Sequence, residues 1–333
     1  MIDDAGFIPD GTVTSARGFT AGAVATGIKQ HSRYKLDLGM LFSKAPCATA
    51  GVFTISRMKA SPVLLCKDML PIDNIRGVVI NSGCANAATG KQGLLDATEM
   101  QSAAAKSLGI AADAMLVAST GVIGQRLPLE AIKDGLKRIG LTAGGGHWLA
   151  EAITTTDTVT KEVAVKSDDF IIGGIAKGSG MIHPQLGTML CFLATDVKIS
   201  THCLTAALKK AAAISFNMVT IDGDASPNDM VIIMANGLAA NKTIEQNTPQ
   251  ADVFQAALNR VCIFLARAIA TDGEGASKLI EVTVNGGASI RDARIAARTI
   301  AGSSLVKTAI HGSDPNWGRI IAAAGRGIPA IHR

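Results

Sequence analysis

Short apolar runs alternate along this chain with longer segments of helical period, and that pattern constrains the fold most, because it calls for a sheet covered by helices. Residues 77–80 predict a strand that runs into the Gly-rich segment Asn81 to Gly90 and then into a helix over residues 92–108. Residues 115–118 repeat the arrangement through Ser119-Thr120-Gly121, leading to a helix opened by Pro128. Residues 158–165 and 170–175 predict a hairpin around Lys166-Ser167-Asp168-Asp169, and a further strand is expected to start close to Thr188. In the second half, residues 202–218, 251–270 and 290–301 predict helices, and residues 230–234 and 279–284 predict strands. Regular β-α-β spacing is lost between residues 155 and 200. The expected class is therefore α/β, with mixed or antiparallel sheets sandwiched by helices rather than a doubly wound parallel sheet.

Composition narrows what such a sandwich can do. The 35 glycines stand against nine Phe, two Trp and one Tyr, so burial must come from Ala, Val, Ile and Leu with backbones brought close together. That balance argues against an aromatic platform for single-stranded nucleic acid. The net charge of +5 comes from singly scattered residues, with no stripe suited to nucleic acid or to a membrane surface. Uninterrupted apolar runs stay below the roughly 18 residues of a membrane span, and the N-terminal Met-Ile-Asp-Asp lacks a signal-peptide pattern. Six widely spaced cysteines without a Cys-x-x-Cys pair indicate neither zinc nor a disulfide framework, and a cytoplasmic location is expected.

The segment 81–90 lacks both G-x-G-x-x-G and G-x-x-x-x-G-K-[ST], so its glycines are read as a tight turn rather than a phosphate cradle. Asp222-Gly223-Asp224 followed by Asp229 lacks EF-hand spacing and is read as turn chemistry ahead of a metal site. More informative is the run from Lys177 to Asp196, where Gly187 precedes Thr188 at the entry to an apolar strand. A small residue there permits the strained backbone that exposes its carbonyl to the threonine hydroxyl. Attack would give an ester, and hydrolysis would free Thr188 as a new N-terminus whose amine serves as its own base. Gly-Thr pairs at strand entries are also common structural features.

The runs Ser119-Thr-Gly-Val-Ile-Gly124, Thr155-Thr-Asp-Thr158, Gly173-Gly-Ile-Ala-Lys-Gly-Ser-Gly-Met181, Thr188-Met-Leu, Asp222-Gly-Asp224, Asp272-Gly-Glu-Gly-Ala276 and Asp314-Pro-Asn-Trp-Gly-Arg319 occur in this order. Together they resemble the motif set of the ornithine acetyltransferases, the bifunctional glutamate N-acetyltransferase family, from about residue 8 to about residue 325. The resemblance implies an αββα sandwich and a precursor that cleaves itself between Gly187 and Thr188. It implies an α chain of residues 1–187 and a β chain of residues 188–333 that form one compact unit, assembled as α2β2. The chemistry implied is ping-pong transfer of acetyl from N2-acetylornithine to glutamate, with no metal or organic cofactor. Nothing in the motifs separates members that also accept acetyl-CoA.

Carried over by motif, Thr188 is the nucleophile, Thr120 and Gly121 are the oxyanion pair, and Thr155, Lys177, Thr188 and Glu274 contact substrate. Taken alone, Ser119-Thr120-Gly121 could equally cap a helix, Lys177 could be a solvated lysine and Glu274 a turn acid. The family pattern also continues some tens of residues past Arg319 and draws an asparagine and a hydroxyl residue for the substrate site from there. A chain ending at Arg333 is therefore expected to be a shortened member. The competing expectations are a threonine-nucleophile aminopeptidase or amidase, which gives the acyl group to water, and an inactive relative.

Overall fold

The computed structural model describes residues 6–29, 34–183 and 189–327. Gly187 and Thr188 lie outside the described residues. Among the described residues eight strands form one mixed sheet: β1 (Phe19–Val24), β2 (Leu38–Phe53), β3 (Ile72–Cys84), β4 (Met115–Val122), β5 (Lys161–Ser167), β6 (Phe170–Lys177), β7 (Leu190–Thr195) and β8 (Met230–Ala235). Their order is β4-β3-β2-β8-β7-β6-β5, with β1 also pairing β2. The pairs β3–β4 and β7–β8 are parallel and the others antiparallel.

The architecture turns on β2. Its first half, Leu38 to Ser43, pairs with β1, while Ala48 to Phe53 pairs with β8. Between them the register against β3 shifts at Phe42/Cys47 and again at Cys47/Thr49. Irregularities of this kind bend a strand and raise its twist. The result is two layers. On β7 and β8, Leu190, Phe192, Ala194, Met230, Ile232 and Met234 share a core with β2, β3 and β4 residues such as Met40, Ile80 and Val117. The alternate residues Cys191, Leu193, Val231 and Ile233 instead share a core with two helices, α5 (Thr201–Ile214) and α6 (Pro249–Thr271). Strands buried on both faces read as unbroken apolar runs, which is what β7 and β8 are.

Helices complete the outer layers. Against β3 and β4 lie α1 (Ser61–Met69) and α2 (Gly90–Ser107), with α3 (Leu129–Leu136) against α2 and α4 (Gly146–Ile153) against β1 and β2. α6 starts at a Thr248 cap that accepts from the Ala251 N–H, with Pro249 in its first turn. It buries Phe254, Leu258, Val261, Leu265 and Ile269 at helical spacing. By length and mean hydropathy α6 could span a membrane, yet this stripe packs on β5, β6 and α5. Beyond it, α7 (Ile290–Ala301), α8 (Ser304–His311) and α9 (Trp317–Gly327) close on a small core of Ile300, Val306 and Ala323.

The αββα sandwich is borne out, with one refinement: the two sheet layers are one hydrogen-bonded sheet folded at β2 rather than separate sheets. The strand expected at residues 279–284 is a correction, since that segment carries no strand. Its Ile280, Val282 and Val284 alternate with exposed neighbours in the manner of a strand, but among the described residues no strand pairs with it, and an unpaired strand is not stable alone. The glycine-rich segment also differs from a simple turn, because β3 continues through Asn81 to Cys84 before the chain leaves the sheet.

Phe192 is 1% exposed between the two layers. Phe192→Ala should therefore cost about 3–5 kcal/mol, read as a fall in the urea midpoint with an unchanged slope. A loss below about 1 kcal/mol would mean that the interlayer core collapses around the gap.

Candidate active site

The end of the β3–β4 pair, the C-terminal end of β6 and the start of β7 converge. β3 and β4 run parallel with Ser82 opposite Thr120 and Gly83 opposite Gly121. Gly83 and Gly121 have φ of +103° and +130°, values that suit only residues without a side chain. A methyl group on Gly121 would lie 2.3 Å from the Gly83 carbonyl carbon, so the close approach itself requires glycine. Thr120 is 2% exposed, and its hydroxyl accepts from the Lys177 ammonium at 3.3 Å.

Lys177 ends β6 and is itself 2% exposed, which removes the reading of a solvated lysine. Burial pushes its pKa down from the ordinary lysine value, and the carboxylates of Asp157 and Asp229 oppose that. Asp157 holds the neighbouring loop. Its Oδ1 accepts from Gly178 N at 2.7 Å and from Lys161 Nζ at 2.7 Å, and its Oδ2 accepts from Thr155 N at 3.0 Å. Thr155 is thereby tied to the residue after Lys177.

Lys161 extends the network to the far side. Its ammonium also donates to Asp272 Oδ2 at 2.6 Å, and all three side chains are almost wholly buried. Asp272 accepts from the Thr158 amide and hydroxyl as well. Burial alone would raise both carboxyls. For Asp157 the charges of Lys177 and Lys161 outweigh it, and for Asp272 the hydrogen bonds from Lys161 and Thr158 do, so both lie below the usual carboxylate value. Two residues on, Glu274 donates its N–H to Ser179 O at 2.7 Å. Its carboxyl group crowds Gly180, where a methyl would sit 2.7 Å from the Glu274 Cδ.

Four of the sequence-derived residues thus share one network: Thr120 through Lys177, Thr155 through Asp157, Lys177 itself, and Glu274 through the 178–180 loop. Gly121 stands at its edge beside Gly83, and Thr188 and Gly187 lie outside the described residues. Sequence reasoning missed Asp157, Lys161 and Asp272 as organisers. Two of them lie inside motifs already noted, Thr155-Thr-Asp157-Thr158 and Asp272-Gly-Glu274, and acids within otherwise small, polar motifs were the available signal. Asp222 is a turn residue, its carboxylate accepting from the N–H groups of Met181, Ile182 and Asp224.

Lys161→Met would leave two buried carboxylates without their shared cation, and breaking a buried pair in this way costs about 3–5 kcal/mol at pH 7. Because both carboxyls are held below their ordinary 3.8, the stability they bring is present above that value and is lost as pH falls below it through their lowered folded-state values. Urea unfolding of wild type and Lys161→Met should therefore differ most at neutral pH and converge below about pH 4. A gap that is the same at pH 7 and pH 3 would contradict this account of the network.

The ArgJ family pattern matches residues 20–332. A curated relative from Dehalococcoides mccartyi (strain CBDB1), named arginine biosynthesis bifunctional protein ArgJ, is 52% identical over 323 residues, covering 96% of this chain and 80% of the relative. A protein of the same name from Symbiobacterium thermophilum is 48% identical over 321 residues, with coverage of 95% and 80%. Among solved structures, ornithine acetyltransferase from Mycobacterium tuberculosis complexed with ornithine is 39% identical with a TM-score of 0.51, covering 54% of this chain and 97% of that one. A pattern matched over nearly the whole length, together with identity of about half to relatives aligned over most of this chain, means that this chain belongs to the ArgJ family.

Proposed function

We propose that this chain is an acetyltransferase of arginine biosynthesis that moves acetyl from N2-acetylornithine to glutamate through an acetyl-Thr188 ester, after cutting itself between Gly187 and Thr188. The observation that carries the reading is the buried Lys177–Thr120 contact beside the Gly83–Gly121 turn, at the point where the chain enters β7. The names of its relatives support the pathway, and the ornithine in the Mycobacterium tuberculosis structure supports an amino-acid substrate.

Maturation begins when the Thr188 hydroxyl attacks the Gly187 carbonyl carbon. The C–N bond breaks, the Thr188 nitrogen takes up the proton, and an ester is left. Water then cleaves the ester, releasing a Gly187 carboxylate and restoring the Thr188 hydroxyl beside the amine freed in the first step. The same hydroxyl next attacks the acetyl carbonyl of the donor, with that amine accepting its proton. The tetrahedral oxyanion is met by the Thr120 hydroxyl and the Gly121 N–H, and it collapses as the proton passes to the leaving ornithine amine. Glutamate's α-amine reverses the sequence on the acetyl ester and leaves as N-acetylglutamate. Glu274 would accept the substrate's ammonium, and Lys177 and Thr155 its remaining polar groups.

Two further features support the reading. The solved Mycobacterium tuberculosis chain is covered almost completely by about 180 residues of this one, 54% of 333, close to the 187 residues that a cut before Thr188 would leave. Strands from both sides of the cut also interleave, β7 lying between β6 and β8, and β8 beside β2, so the two pieces would stay joined by the sheet. Acetyl-CoA as a second donor and an α2β2 assembly belong to the same proposal.

Purified protein should run as two pieces that co-elute, with Thr188 as one N-terminus by sequencing, and Thr188→Ala should run as one. Cleavage persisting at this bond in Thr188→Ala would mean that another nucleophile or protease makes the cut. Thr120→Ala should lower acetyl transfer by roughly 10²–10³-fold with the fold intact. Release of free acetate in place of N-acetylglutamate would identify an amidase instead.

A further inference from the structure

Asp229 is fully buried just before β8, and the chemistry proposed above does not use it. Its Oδ1 accepts from the Met189 N–H at 3.0 Å, and its own carbonyl accepts from Thr54 N at 3.0 Å. Its Oδ2 makes no hydrogen bond of regular geometry among the described residues, although the hydroxyls of Ser226 and Thr54 face the carboxyl. Burial pushes this carboxyl well above the usual range, while the Met189 N–H, the Lys177 ammonium and the hydroxyls of Ser226 and Thr54 pull the other way. Lys177 in turn faces Asp157, Lys161 and Glu274.

Its neighbour Asn228 is 4% exposed and spends both N–H groups of one amide on two backbone segments: Nδ2 donates at 2.7 Å to the carbonyl of Ala85, one residue past β3, and at 2.8 Å to that of Ser119 in β4. Ser119 immediately precedes Thr120. One dipeptide therefore fixes the carbonyl before the proposed oxyanion residues with one side chain, and the amide after Thr188 with the other. A residue placed only to fill the core would not need polar groups aimed at these two backbones.

We propose that Asn228 and Asp229 are positioning residues that lock the start of the nucleophile strand to the Thr120–Gly121 turn, setting the distance between attacking group and oxyanion donors. The proposal rests on the acetyl-threonine reading, because only then is the Met189 amide adjacent to the reacting group. A misplacement of about 1 Å can cost on the order of 10²-fold in rate.

The test uses the full self-processed protein and two readouts. Asp229→Ala should lower kcat for acetyl transfer about 10²-fold with KM within about threefold, whereas Asp229→Asn, which keeps an oxygen facing Met189, should recover to within about tenfold of wild type. Hydrogen–deuterium exchange should rise in peptides containing Met189 in Asp229→Ala and stay at the wild-type rate in Asp229→Asn. Should Asp229→Ala fail to fold, Asn228→Ala carries the same test, with faster exchange around residues 119–121 and a kcat loss of about tenfold or more. A kcat per folded molecule within about threefold of wild type in these variants, or an Asn variant as impaired as the Ala variant, overturns the proposal. If wild type itself transfers no acetyl, the functional reading fails and the exchange data alone decide the positioning claim.

Discussion

The site depends on one buried ammonium. Lys161 sits between Asp157 and Asp272, all three out of water, and each aspartate organises a different stretch of backbone. Asp157 gathers Thr155 and Gly178, and Asp272 gathers Thr158 two residues before Glu274. Desolvating three charges is expensive, and a buried ion cluster of this kind is rarely a net source of stability over apolar packing. Its value lies in geometry, because the bonds that satisfy the three charges bring residues 155–158, 177–180 and 272–274 together.

A second constraint acts on the opposite wall. Parallel pairing carries β3 and β4 so close at their ends that Gly121 packs on the Gly83 backbone with no room for a side chain. Both residues are in left-handed conformations, open to glycine at little cost and to other residues only with strain. Thr120 precedes this contact and is turned into the interior, where it meets Lys177. The two walls are thus joined through a lysine whose charge burial disfavours and whose acidic neighbours sustain it.

The parts of the fold legible in the sequence were those with local signals. Helix α7 begins and ends where its periodicity predicts, and the hairpin expected around residues 166–169 turns at Asp168-Asp169 between β5 and β6. Helix α5 ends at Ile214, earlier than its pattern suggests, passing into a 3-10 turn at Phe216–Met218. The long strand β2 escaped notice because its 16 residues change partner halfway, so polar and small residues such as Ser43, Lys44, Ala45 and Pro46 interrupt any period of two. In the candidate site, Thr120 and Lys177 were singled out through motifs. The roles of Lys161 and Asn228 depend on partners more than 100 residues away, Asp272 and Ser119 respectively, and no local pattern encodes such pairings.

The topology also bears on how a chain could be cut near its middle without falling apart. β7 is a central strand, bonded in register along all six residues to β6 on one side and to β8 on the other. Just before it, Met189 is held through both of its backbone polar groups, its N–H by Asp229 and its carbonyl by the Met230 N–H. A new terminus created before Met189 would therefore be anchored within one residue of the break. The preceding segment stays attached through β6, which pairs with both β5 and β7. Cleavage would free one peptide bond's worth of backbone and leave the hydrogen-bonded ladder, the interlayer core and the Lys161 cluster untouched. An N-terminal nucleophile placed elsewhere, on an edge strand such as β4 or β5, would have half of these bonds and correspondingly less certainty of position.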